Sequence, residues 1–68
     1  MPTKLQMKGR RELVSPFTLD QVQDMVIAAK KYKSFPFVHM EIFEPETKHS
    51  EFMLINFDNV KFIKNTEL

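Results

Sequence analysis

Two histidine–carboxylate pairs carry most of the chemistry this chain could do. His39 with Glu41 and His49 with Glu51 stand two residues apart, a spacing that puts both members of a pair on one face of a strand. Imidazole beside carboxylate is the raw material of a metal site or of an acid–base pair. A metal centre needs three or four converging ligands with groups behind them to fix their orientation, and each pair supplies two. Glu41, Glu44, Glu46 and Glu51 gather in one stretch, but acid–base catalysis also requires a pocket that shifts a carboxyl pKa. A solvated acidic loop is the simpler expectation. Cysteine is absent, which removes thiolate ligands, disulfides and cysteine nucleophiles together. Ser15, Ser34 and Ser50 lie in no nucleophile-elbow pattern, and the single glycine, Gly9, cannot by itself build a phosphate-cradling loop. The expectation is a protein that is not an enzyme and holds no metal or cofactor.

Binding chemistry is the alternative. Lys4, Lys8, Arg10 and Arg11 form one basic group, and Lys30, Lys31 and Lys33 a second. Brought together, they could neutralise several phosphates while Tyr32, Phe37 or Phe52 offered stacking surfaces to a single strand. Against this stands the net charge of +1, from 10 basic and 9 acidic residues, which gives no broad positive field. Lysines at a helix C-terminus are also explained by the helix dipole alone.

Positioning falls to few elements, because 68 residues make one small domain with one core. Below about 70 to 80 residues a core rarely supplies more than roughly 3 to 5 kcal/mol, and with no cysteine the extra stability must come from packing or association. Lys4–Lys8 alternates polar and apolar, and Leu13–Val14 follows the arginines, so a hairpin turning at Gly9 is the reading for the N-terminal segment, residues 1–17. Pro16 ends it, since proline cannot donate to a sheet ladder. Thr18-Leu19-Asp20-Gln21 matches a capping box, and Leu19, Val22, Met25, Val26 and Ala29 recur at helical spacing. An amphipathic helix is therefore expected within 18–34, closing before Pro36. Ile27 points away from its apolar stripe. Phe37 to Glu44 and Glu51 to Phe57 are rich in aromatic and β-branched residues, with a polar loop between them. Asp58-Asn59 can turn the chain into a third strand, Val60 to Asn65. The fold class is α+β: one helix packed on a three-stranded antiparallel meander over 37–65, with the short N-terminal hairpin extending or capping it.

The two faces of that sheet are unequal to ordinary expectation. One register sets Val38, Met40, Ile42, Met53, Ile55, Phe57, Val60 and Phe62 on a wholly apolar face, the seat of the helix. The opposite face then carries Phe37, His39, Glu41, Phe43, Phe52, Leu54, Asn56, Lys61 and Ile63. One helix covers one side of a sheet, so Phe37, Phe43, Phe52, Leu54 and Ile63 are left needing cover from residues 1–17, from a second subunit or from another protein. The expected function is an interaction or regulatory module that forms a homodimer or binds a protein partner through these five residues. The second expectation is nucleic-acid binding through Lys4, Lys8, Arg10, Arg11, Lys30 and Lys31. No apolar run reaches the length of a membrane span or signal segment, and a cytoplasmic location is the default.

Overall fold

The computed structural model describes residues 1–67. Five strands and one helix follow one another as β1 (Thr3–Met7), β2 (Glu12–Ser15), α1 (Leu19–Lys31), β3 (Phe37–Glu44), β4 (His49–Asn56) and β5 (Val60–Asn65). The fold is α+β with an antiparallel sheet in the order β4-β3-β2-β1-β5.

Local sequence explains each element. The β1–β2 turn places Gly9 and Arg10 at positive φ, 79° and 72°, and the Met7 amide donates to the Arg11 carbonyl at 2.8 Å. Glycine takes that conformation at no steric cost. Both halves of the capping box are made: the Gln21 amide donates to Thr18 Oγ1 at 3.2 Å and the Thr18 amide to Gln21 Oε1 at 2.8 Å. At the other end Lys33 adopts φ 62°, the Ser34 amide reaches the Ala29 carbonyl and the Lys33 amide the Lys30 carbonyl. This pair of bonds is the Schellman closure, so the helix stops at Lys31, shorter than the 18–34 segment expected.

The meander is the main correction. β3 and β4 form the expected hairpin, paired from Phe37–Asn56 to Glu44–His49. β5 does not pair with β4; it runs beside β1, and the N-terminal hairpin sits between β3 and β5. Residues 1–17 therefore extend the sheet in its own plane, because β2 offers its backbone to β3 with Val14 across from Phe43, and they reach its second face at Phe17, whose ring packs near Phe52. Asp58-Asn59 is accordingly not a two-residue hairpin turn but part of a 3-10 segment, Phe57–Asn59, opened by the Asn56 side chain accepting from the Asp58 amide at 3.0 Å.

That short segment forces the sheet to roll. Ser50, Phe43, Val14, Lys4 and Lys64 lie on one line across the five strands. Asn56 is six positions past that line on β4 and Val60 four positions before it on β5, and both strands run the same way. In a flat sheet the two would be separated by about 33 Å along the strands alone, at about 3.3 Å per residue. Four peptide steps span at most about 14 Å. The edges must curl toward one another with strong strand stagger, as in sheets on the way to closing. The core fills the inside of the curl: Leu5, Met40, Ile42 and Ile55 from the strands and Val22 from the helix, with Met7, Leu13, Phe17, Met25, Met53, Phe57, Val60 and Ile63 packed around them. The helix lies principally against β3 and β5. The ends of the chain meet, with the Thr66 amide donating to the Pro2 carbonyl at 2.9 Å.

Candidate interaction surface

Alternation along β3 and β4 decides what faces outward. Val38, Met40, Ile42 and Ile55 are buried beneath the helix. Their neighbours in sequence, Phe37, His39, Glu41 and Phe43 on β3 and Ser50, Phe52, Leu54 and Asn56 on β4, share the outer face. Phe37 is 47%, Phe52 59% and Leu54 64% exposed. The Phe52 ring packs 5.3 Å from His39 and 6.4 Å from Phe17, tilted in both cases, and His39 stands across from Leu54. The three exposed apolar side chains thus form one patch around an imidazole. Glu41, across from Phe52, borders it.

Phe43 and Ile63 do not behave like the other expected contact residues. Phe43 is half-buried because β2 lies alongside and sets Val14 directly across from it. Ile63 is out of the patch altogether: it pairs with Leu5 and packs on the core. Phe62, expected under the helix, instead stands across from Gln6 and is 50% exposed. The reason is that the phase of β5 is set by β1, with a register shift between Gln6 and Met7, and not by a tight turn from β4. The broken alternation of Val60-Lys61-Phe62-Ile63 is the one sequence signal of that irregularity.

The basic residues stay in two places. Lys8, Arg10 and Arg11 ride the exposed β1–β2 turn, and Lys4 lies on the outer face of β1 with its Nζ 3.5 Å from Glu12. Lys30 and Lys31 occupy the last turn of α1, whose main neighbours are β3 and β5. There Lys30 lies 4.9 Å from the centre of the Phe35 ring and Lys31 5.8 Å from that of Tyr32. Among the described residues no three His, Asp or Glu side chains converge as metal ligands, and no described helix is long and apolar enough to cross a membrane.

Two grooves flank the helix. One of about 400 Å³ runs between α1 and the start of β5 and is lined by Val26, Ile27, Phe57, Val60, Phe62 and Ile63 with Gln23 as its polar member. Ile27, the residue outside the helix stripe, forms its exposed lip. The other, of about 270 Å³, lies where the helix end meets β3, between Tyr32, Ser34, Phe37 and His39. Neither gathers a set of ionisable groups. No family model, curated protein or solved structure matches this chain. Nothing about its activity is inherited from a relative.

Proposed function

We propose that this protein is a non-enzymatic interaction module that self-associates through the outer face of the β3–β4 hairpin, with Phe52 and Leu54 at its centre and Phe37 at its margin. The observation that carries this reading is that three large apolar side chains, each about half or more exposed, are contiguous on one hairpin of a very small domain. Monomeric proteins rarely leave such patches open without use, and a chain this short gains from burying one. His39 and the half-buried Phe43 border the contact; Ile63 is not part of it.

Light scattering on a sizing column across a wide concentration range tests the proposal. A dimer that survives high salt is expected, since apolar burial is not screened. Phe52→Ser with Leu54→Ser should give a folded monomer. A wild-type chain that stays monomeric at the highest concentration reached would remove the reading.

A second reading, binding of a single-stranded nucleic acid, is favoured by the helix end, where Lys30 and Lys31 lie over Phe35 and Tyr32. Titration of a labelled oligonucleotide at low salt decides it. Phosphate neutralisation must appear there if anywhere, so absence of binding ends that reading.

A further inference from the structure

We propose that the second copy docks on the free edge of β4, antiparallel and across a two-fold axis through Met53, so that the two sheets become one. This rests on the self-association just argued and names its geometry.

The two edges of the sheet are treated differently by the sequence. β5 carries Lys61 and Lys64, and its pairing with β1 is interrupted by a register shift. Lysines and bulges are devices that keep an edge from recruiting another strand. β4 has no lysine and no bulge, and its one carboxylate is Glu51, on the inner face across from Ile42. It is eight residues long, free of proline, glycine and lysine, and in unbroken register with β3 on its other side. Its outward backbone groups have no strand neighbour among the described residues.

The outer face of β4 reads the same in both directions. Ser50, Phe52, Leu54 and Asn56 run polar, apolar, apolar, polar. An antiparallel two-fold pair has its axis perpendicular to the sheet and keeps outer face with outer face. With Met53 on the axis, Phe52 meets Leu54 of the partner subunit and Ser50 meets Asn56 of the partner subunit. Shifting the axis to Phe52 sets Leu54 against the partner's Ser50, and shifting it to Leu54 sets Phe52 against the partner's Asn56. On this outer face only the Met53 axis matches apolar with apolar, while on the inner face it sets Met53 beside the partner's Met53 and Glu51 beside the partner's Ile55. The same axis carries the exposed Lys48, on the β3–β4 turn, toward the far end of the partner strand, where the exposed Asp58 follows β4. That charge complementarity occurs twice, once at each end.

Area sets the strength. Two Phe52 and two Leu54 side chains hide on the order of 100 Å² apiece, and even with the paired backbone the contact falls at the small end of specific interfaces, which begin near about 1,200 Å². The dimer should therefore dissociate on dilution, in a range on the order of micromolar.

Sedimentation velocity from about 1 μM to about 1 mM, with circular dichroism to confirm folding, measures each variant. Phe52→Lys alone and Leu54→Glu alone should abolish the dimer. The double variant, Phe52→Lys with Leu54→Glu, should restore it, because the introduced charges then face each other across the axis. Phe37→Lys, one strand in from the edge, should weaken it less than either of these single variants. Met53→Cys, in a chain with no other cysteine, should oxidise to a covalent dimer, since directly opposed Cα atoms lie about 4.5 to 5.5 Å apart, within disulfide reach. A wild-type dimer that Phe37→Lys destroys and that neither the double variant nor Met53→Cys reproduces would overturn the edge geometry while leaving self-association standing. A wild-type monomer at every concentration would overturn both.

Discussion

Lys33 holds the left-handed position that ends α1, at φ 62°, where glycine is the usual occupant. An L side chain in that conformation is strained by roughly 1 to 2 kcal/mol, and part of any relief is returned by the greater freedom of glycine in the unfolded chain. Lys33→Gly should raise stability by about 0.5 to 1 kcal/mol, read from the midpoint of urea unfolding at constant slope. Thr3 offers a second residue-level test. Its hydroxyl is fully buried and has no hydrogen-bond partner among the described residues, so it carries a desolvation cost with no bond to offset it. Thr3→Val, close in shape and lacking the oxygen, should stabilise by about 1 kcal/mol by the same measurement. At this scale much was legible in advance: Gly9 as a turn and the reciprocal Thr18–Gln21 cap are both local chemistry, and both are present. The cap makes its own prediction. Thr18→Ala should cost about 1 kcal/mol and lower the helical signal in circular dichroism before global unfolding.

Among the elements, what depends on neighbours in sequence was readable and what depends on neighbours in space was not. β3 and β5 begin and end where their β-branched and aromatic runs do, and Val38, Met40 and Ile42 alternate into the core as their spacing requires. The partner of β5 was hidden. Asp58-Asn59 has the composition of a tight turn, and a tight turn would have made β5 the neighbour of β4; the Asn56 side chain instead winds the chain into a 3-10 segment that delivers β5 to β1. Every side chain of β5 then takes its phase from Leu5 and Gln6, which is why Ile63 went inward and Phe62 outward. This yields a contrast that can be measured. Ile63→Ser should destabilise the monomer, by about 2 to 4 kcal/mol for a half-buried side chain packed on the core and replaced by a polar one. Phe62→Ser should leave thermal unfolding nearly where it was, because its ring is half in solvent.

For the molecule as a whole, the small core leaves little margin. Leu5 is completely buried and belongs to the same cluster as Val22, Met40, Ile42 and Ile55, and a leucine-to-alanine change at such a site costs about 2 to 5 kcal/mol. Against a total of roughly 3 to 5 kcal/mol for a domain of this size, Leu5→Ala should leave the chain substantially unfolded at 37 °C by circular dichroism. Association adds to this margin by mass action, so the midpoint of thermal unfolding should rise with protein concentration in the wild type and be flat in Phe52→Ser with Leu54→Ser. Rolling of the sheet was beyond the reach of local pattern, since it follows from three residues joining points that four registers place far apart. Those registers also determine how the molecule meets force. β1 and β5 are antiparallel neighbours, with Thr3 beside Asn65. A pull applied at the two ends therefore loads the Pro2–Thr66 bond first and then the β1–β5 ladder one rung at a time. Peeled in this way, β5 takes Ile63 and then Val60 out of the core before any other strand pair is strained, so the protein is built to open like a zipper and offers little mechanical resistance.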